Sequence, residues 1–111
     1  MSDKITHIES KAQHDALLAE HKGKIVIIDF HASWCGPCHM IAPVYEKLAS
    51  ENPDLAFTKV DVDNNEDLSK QYGIRAMPTF KVVNADDGSV LDELQGASKD
   101  KLEALVAKYK P

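Results

Sequence analysis

The fold expectation rests on residues 24–38, whose sequence is KIVIIDFHASWCGPC. Residues 24–30 are β-branched and apolar on both faces, which is typical of a strand that helices cover on each side. The motif WCGPC, from Trp34 to Cys38, ends this strand and leads into a helix. The apolar face of that helix is predicted to consist of Met40, Ile41, Val44, Tyr45 and Leu48. A buried strand followed by an amphipathic helix indicates an α/β sheet.

Three further helices are predicted from their N-cap residues, with apolar residues at helical spacing in the first and last of them and a glycine after the first and second. The N-cap residues are Ser10 (with Gln13 completing a capping box), Asn64 or Asn65, and Ser98, and the glycines are Gly23 and Gly73. The helix that begins at Asn64 or Asn65 is expected to end at Tyr72. Pro43 falls inside the helix after WCGPC and is expected to bend its axis.

Strand signals complete the pattern. A strand fits residues 55–62, and residues 79–83 and 89–94 flank the turn-rich residues 84–88, which predicts a hairpin. With residues 55–62 counted as the third strand, the predicted order is βαβαβαββα, an α/β sheet covered by helices on both faces with an antiparallel hairpin at its end.

Length and composition exclude several classes of protein. The chain has 111 residues, a length that predicts a single domain over residues 1–111. Of these residues 43% are hydrophobic, and the net charge is −5. Its longest run of large apolar residues, 25–28, is far below the ~20 that cross a membrane. The acidic balance argues against a nucleic-acid partner. Residues 1–10 carry no apolar signal segment, so a cytoplasmic protein is expected.

The two cysteines, Cys35 and Cys38, lie at the predicted junction between strand and helix. Unpaired amides and the positive end of the helix dipole stabilise a thiolate there, and a thiolate is the nucleophile of disulfide exchange. Cys35 is therefore predicted to attack, and Cys38, one helical turn later and better covered, to resolve. Gly36 permits close approach of a partner's backbone, and Pro37 stiffens the first helical turn.

Three other interpretations of the motif remain open at this point. Residues 35–39 also match the C-x-x-C-H pattern of haem attachment, for which Met77 could be a second axial ligand. A structural zinc site would need four ligands, and no histidine follows His39 in the chain. The third alternative is a pair of inert, buried structural cysteines.

Residues 28–38 closely resemble the active-site segment of the thioredoxin family. Further matches follow in the family's order at residues 40–43, 60–63 and 72–79 and at Gly96-Ala97. The resemblance implies the thioredoxin fold, a central mixed five-stranded sheet covered by four helices. It also implies a monomeric, general protein-disulfide reductase that acts on disulfide-containing target proteins. Such a protein binds no metal or organic cofactor, and thioredoxin reductase re-reduces it with NADPH.

Asp29 is a carboxylate inside an otherwise apolar strand. A strand-end aspartate satisfied by backbone or solvent is one interpretation; the other is a covered carboxylate with a raised pKa that takes the proton from Cys38. The resemblance favours the second, because the family places its buried acid at this position. Lys59, in the neighbouring predicted strand, is either a partner of Asp29 or a solvated lysine.

A binding surface for target proteins is also implied by the resemblance. Pro78 is expected to form a cis peptide bond with Met77 and to face the cysteines, which leaves the backbone of Met77 free to pair with an extended target. Trp34, Met77, Gly96 and Ala97 are then expected to form a flat apolar rim. Partial core packing is the alternative for Trp34.

The histidines mark departures from the family pattern. His31 stands where many relatives carry a bulky aromatic residue, and His39 stands where many carry lysine. Both are interpreted as tolerated surface substitutions, although each could titrate near neutral pH and alter the thiolates. His14 and His21 share one edge of the first helix and are expected to be solvated.

Two alternatives to the reductase follow from the same residues. One is a disulfide oxidant or isomerase of the same fold, against which the Gly36-Pro37 dipeptide argues because it resembles that of the reductants. The other is a non-catalytic module whose groove recruits partners without turnover.

Overall fold

The computed structural model describes residues 4–111, and the predicted order βαβαβαββα is confirmed. The strands are β1 (Ile5–Ile8), β2 (Ile25–His31), β3 (Ala56–Asp61), β4 (Thr79–Asn84) and β5 (Val90–Gln95). The helices are α1 (Lys11–Glu20), α2 (Gly36–Glu51), α3 (Glu66–Gln71) and α4 (Lys99–Tyr109). Within residues 4–111, no helix is both long and apolar enough to cross a membrane.

The strands form one mixed sheet in the order β1-β3-β2-β4-β5. β1 and β2 both run parallel to β3, whereas β4 runs antiparallel to β2 and to β5. β2 therefore has a hydrogen-bonded neighbour on each side, and its residues 26–30 are completely buried. This central position explains why its sequence is apolar on both faces.

Two apolar clusters cover the two faces of the sheet. Val26, Ile28 and Phe30 of β2 belong to the first cluster, together with residues of α1 and α3. Ile27 belongs to the second, together with residues of α2 and α4. Because successive side chains of a strand point to opposite faces, Asp29 lies on the same side as Ile27, beneath α2.

The helix starts follow the predicted caps closely. The Ser10 hydroxyl accepts the Gln13 N–H over 3.0 Å, and the Ser98 hydroxyl accepts the Lys101 N–H over 3.3 Å. Asn65 is the N-cap of α3, but its side chain donates to the backbone carbonyl of Asp61 instead of capping the helix. This contact ties the start of α3 to the end of β3.

The helix ends and strand bounds depart from expectation by a few residues. α1 ends at Glu20 with His21 as its C-cap, whose N–H donates to the carbonyls of Leu17 and Leu18, and Gly23 follows at a positive φ of 85°. The strand expected at residues 55–62 spans Ala56–Asp61. α2 continues through Pro43 to Glu51.

Met40 was expected on the apolar face of α2, and this prediction was wrong. Its side chain is 77% exposed, whereas Ile41, Tyr45 and Leu48 are buried in the second cluster. The buried positions of α2 are Cys38, Ile41, Tyr45, Leu48 and Ala49, and at helical spacing they define a face that does not include Met40. Met40 therefore lies on the surface near the cysteines.

Candidate active site

The two cysteines lie at the junction between β2 and α2. Cys35 is the N-cap of α2, Cys38 lies in its first turn, and a disulfide joins them across a Cα–Cα distance of 5.3 Å. The chain reaches this point through a tight turn in which the Cys35 N–H donates to the carbonyl of Ala32 over 3.1 Å. The geometry confirms that the motif is a redox-capable pair at a strand-to-helix junction.

The sulfur of Cys35 takes the position that a capping oxygen usually occupies. The backbone N–H of Cys38 donates to Cys35 Sγ over 3.1 Å. After reduction, the same amide and the helix dipole would favour the charged form of this sulfur, which lowers the pKa of a thiol. Pro37 occupies the first helical turn, where its missing N–H removes no helical bond.

The expectation that Cys38 is better covered than Cys35 was wrong. Cys35 is 4% and Cys38 is 5% exposed in the disulfide form, so burial does not distinguish the two sulfurs. The two sulfurs differ in hydrogen bonding. Within the described residues, Cys35 Sγ accepts a hydrogen bond from an amide of α2, and Cys38 Sγ accepts none. Gly36, between them, is exposed, and a Cβ atom there would meet nothing within 4 Å.

Asp29 is buried beneath the active-site helix. It is 1% exposed, and its Oδ1 atom has no hydrogen-bond partner among residues 4–111. Burial raises the pKa of this carboxyl from 3.8 to about 7, and the charge of Lys59 opposes the shift. A group with such a pKa exchanges a proton readily near neutral pH.

Lys59 lies directly opposite Asp29 in the register of the parallel β2–β3 pair. Within the described chain, neither a hydrogen bond nor an ion pair joins the two side chains. Lys59 is half-buried, and its influence on Asp29 is that of a nearby positive charge. Lys59 is therefore a neighbour of Asp29, as predicted, but it is not a hydrogen-bond or ion-pair partner within the described residues.

The segment that leads into β4 forms a second wall beside the cysteines. The Met77–Pro78 peptide bond is cis, as expected. Met77 is half-buried and packs against the cluster that contains Cys35 and Cys38, whereas Pro78 is buried. The Gly96 N–H donates to the Pro78 carbonyl over 2.9 Å, which places Gly96 and the half-buried Ala97 at the same edge.

Trp34 stands out from the surface next to the disulfide. It is 67% exposed, which excludes core packing as its main role. Its indole N–H donates to Asp63 Oδ2 over 2.8 Å. No role was predicted for Asp63 from the sequence, although the residue belongs to the matching segment 60–63. The signal was therefore available, but nothing in the sequence linked it to Trp34.

The histidines divide into surface and buried groups. His39 is exposed and hydrogen-bonded through Nε2 to the Ser33 carbonyl over 2.8 Å. His31 is half-buried, and burial, followed by the charge of Lys59, lowers the pKa of its ring. The expectation that His14 is solvated was wrong, because His14 is 2% exposed. Its position three residues before the buried Leu17, on the same helical stripe, was the available signal.

No group of three or more His, Cys, Asp and Glu residues in the part of the chain that the structure describes is arranged to hold a metal ion.

Comparisons with known proteins agree with this site. The family model described as Thioredoxin matches residues 5–108. The thioredoxin H-type of Chlamydomonas reinhardtii is 48% identical over 112 residues, which cover 98% of this chain and 97% of that protein. The thioredoxin of Coprinus comatus is 50% identical over 90 residues, which cover 79% of this chain and 83% of that protein.

Solved structures give the same result. The thioredoxin NaTrxh of Nicotiana alata superposes with a TM-score of 0.91 at 31% identity, covering 100% of this chain and 96% of that one. The thioredoxin of Fasciola hepatica superposes with a TM-score of 0.89 at 41% identity, covering 95% of this chain and 99% of that one. With the Cys35–Cys38 pair at the start of α2, these matches establish that the chain belongs to the thioredoxin family and is a thiol–disulfide oxidoreductase.

Proposed function

We propose that this protein is a general protein-disulfide reductase that NADPH-dependent thioredoxin reductase returns to its dithiol form. The observation that carries the proposal is the hydrogen bond from the Cys38 amide to Cys35 Sγ at the start of α2. That bond favours a thiolate on Cys35, and the adjacent Cys38 provides the second thiol needed to complete the exchange.

The first step is attack by the Cys35 thiolate on one sulfur of a target disulfide. The target's S–S bond breaks, a mixed disulfide forms between Cys35 and the target, and the other target sulfur leaves as a thiolate. Gly36 leaves open space beside the attacking sulfur, which suits the approach of a target backbone.

The second step releases the target. Asp29 accepts the proton of the Cys38 thiol, and the resulting thiolate attacks Cys35 Sγ. The mixed disulfide breaks, the Cys35–Cys38 disulfide forms, and the second target sulfur leaves as a thiolate. A carboxyl with a pKa of about 7 suits this proton transfer, because a large fraction of it is ionised at neutral pH. The charge of Lys59 increases that fraction.

Two electrons from NADPH, delivered through thioredoxin reductase, then restore both thiols. The protein itself holds its electrons in Cys35 and Cys38, so the reaction as written needs no bound metal or organic cofactor. The sequence contains no third cysteine, so oxidation involves this single pair.

The target is proposed to bind along the surface formed by Trp34, Met77, Pro78, Gly96 and Ala97. Trp34 is exposed and held by Asp63, while Met77, Gly96 and Ala97 are half-buried at the opposite edge. An extended target segment could lie between these edges and pair with the backbone of Met77.

We also propose that residues 1–111 act as one domain, in monomeric form, in the cytoplasm. A dithiol that donates electrons is maintained in a reducing compartment, and the cytosol is one. Light scattering of the purified protein tests the monomer, and imaging of the tagged protein in intact cells tests the location. A dimer in solution, or a signal confined to an organelle, would overturn the respective proposal.

The reductase activity is tested with the oxidised protein, NADPH, thioredoxin reductase and insulin. We expect NADPH consumption and insulin reduction that both depend on the protein, and neither with a Cys35→Ser/Cys38→Ser variant. NADPH consumption no faster than with the reductase alone would reject the proposal. If the protein instead catalysed the oxidative refolding of a reduced test protein at a higher rate than the reduction of insulin, an oxidant or isomerase would be favoured.

A further inference from the structure

A buried hydrogen-bonded chain links α1 to the end of α3, outside the site described so far. His14 Nε2 and the Tyr72 hydroxyl oxygen are 2.5 Å apart, and both residues are buried. On its other side, His14 Nδ1 lies 2.8 Å from Asp15 Oδ1. A completely buried histidine with a partner on each ring nitrogen is held in a single orientation.

The direction of these hydrogen bonds follows from the partners. The bond with His14 lowers the pKa of Asp15, so this exposed carboxylate is ionised and accepts the Nδ1–H of the ring. In the tautomer that carries its proton on Nδ1, Nε2 is the acceptor, and Tyr72 donates its hydroxyl proton to it. Burial raises the pKa of Tyr72 to about 12, so the phenol retains the proton that it donates.

Tyr72 connects this chain of hydrogen bonds to the active site. Its ring lies 5.2 Å from the ring of Phe30, and both belong to the cluster that contains Cys35 and Cys38. Ile74 and Met77 pack against the same cluster. Tyr72 is the C-cap of α3, and the segment 73–78 leads from it to the wall formed by Met77 and Pro78.

We infer that His14 is a positioning residue for the binding of target proteins. It holds the Tyr72 side chain against Phe30, and Tyr72 in turn sets where the segment 73–78 lies beside the disulfide. The inference rests on the proposed function in one respect, namely that the Met77–Pro78 wall receives the target. His14 touches neither the target nor the sulfurs, so it acts on binding and not on the exchange of sulfur.

The test compares two single variants with a conservative one. His14→Phe leaves the Tyr72 hydroxyl without its acceptor, and Tyr72→Phe leaves His14 Nε2 without its donor. We expect each to raise the KM for insulin about 3- to 10-fold, the range that a lost hydrogen bond produces. The kcat and the rate of reduction by dithiothreitol should stay unchanged, because that small reagent does not span the groove.

His14→Gln should retain the wild-type KM, because its amide oxygen can accept the Tyr72 hydroxyl where Nε2 did. Lys11→Ala is the matched control. Lys11 donates to Gln71 Oε1 over 2.6 Å, an exposed contact between the same two helices, and its loss should leave KM unchanged. Unchanged KM in both Phe variants would overturn the inference, as would an equal rise in His14→Gln or Lys11→Ala.

Amide hydrogen exchange tests the positioning without turnover. The Gly73 and Ile74 amides donate to the carbonyls of Lys70 and Ser69 over 3.1 and 2.9 Å. Both amides should exchange faster in His14→Phe and Tyr72→Phe than in the wild type, while amides of β2 keep their protection. Unchanged exchange rates of these two amides would overturn the inference, whether or not the wild type reduces insulin. Failure of the wild type to reduce insulin would reject only the proposed reductase.

Discussion

Asp29 and Lys59 occupy matching positions on two adjacent parallel strands, yet no ion pair joins their side chains in the part of the chain that the structure describes. Burial of Asp29 therefore outweighs the opposing charge of Lys59, and the pKa of the carboxyl rises from 3.8 to about 7. The folded protein holds a proton there that the unfolded chain releases at lower pH. This difference makes both stability and catalysis depend on pH.

The first prediction concerns stability. A raised carboxyl pKa contributes stability that is complete below about pH 4 and is lost as the pH rises through about 7. The rise in the pKa of Asp29 from 3.8 to about 7 corresponds to about 4 kcal/mol. An amide side chain cannot titrate, so Asp29→Asn should remove this loss and be more stable than the wild type at pH 8. Denaturant unfolding of the oxidised protein between pH 4 and pH 8 measures the difference.

Asp87→Asn is the matched control for that experiment. Asp87 is exposed, and its hydrogen bonds with Ser89 lower its pKa, so its contribution has the opposite sign. The Asp87 variant should keep the decline between pH 4 and pH 8. A similar decline in Asp29→Asn would show that Asp29 is not its source.

The second prediction concerns the release step. Without the carboxylate, Cys38 loses its proton acceptor, so Asp29→Asn should resolve the mixed disulfide about 10- to 100-fold more slowly at pH 7. Quenched-flow detection of the mixed disulfide measures this rate. The difference should shrink above about pH 9, where a thiol ionises unaided. Equal rates at pH 7 in both proteins would remove the proton-transfer role.

The third prediction separates the two cysteines. Cys38→Ser retains the attacking thiolate but cannot release the target, so it should accumulate mixed disulfides that reducing agent dissolves. Cys35→Ser should trap none and should not reduce insulin. Non-reducing gels of both variants after incubation with oxidised insulin give the comparison. If Cys35→Ser kept full biological activity, the groove alone would be the functional element.

The fourth prediction concerns Trp34. Asp63→Ala removes the acceptor of the indole N–H, so the fluorescence of the single tryptophan should shift and the kcat/KM for insulin should fall about 2- to 5-fold. Stability should change by no more than about 0.5 kcal/mol, because the contact is exposed.

Asp63→Asn keeps an oxygen acceptor and is the control for that variant. It should resemble the wild type in both fluorescence and activity. A loss as large as in Asp63→Ala would point to the charge of Asp63 instead of its hydrogen bond.

Features that depend on neighbouring residues were predictable from the sequence. The serine caps at Ser10 and Ser98 and the β-branched run of β2 are local signals, and the elements formed where these signals lie. The identity of the family and the cis bond before Pro78 followed from resemblance. The resemblance also supplied the five-stranded sheet, which no local pattern specifies.

Features that depend on distant partners were not predictable. His14 and Tyr72 are 58 residues apart, and Trp34 and Asp63 are 29 apart, so neither pair leaves a pattern at helical or strand spacing. The prediction for Met40 was wrong for a related reason, because the apolar residues of α2 fit more than one helical face, and the packing of the helix decides which face is buried. The equal burial of the two cysteines likewise depends on segments that come from elsewhere in the chain.

The direction of β4 has a consequence for the whole site. Phe30, near the end of β2, pairs with Thr79, the first residue of β4, only because the two strands run in opposite directions. In a parallel arrangement, the first residue of this six-residue strand would lie at the opposite end of β2, about 20 Å away. If this one strand ran in the opposite direction, Met77 and Pro78 would not lie beside the disulfide. A target could then reach the sulfur of Cys35, but the binding surface opposite α2 would be missing.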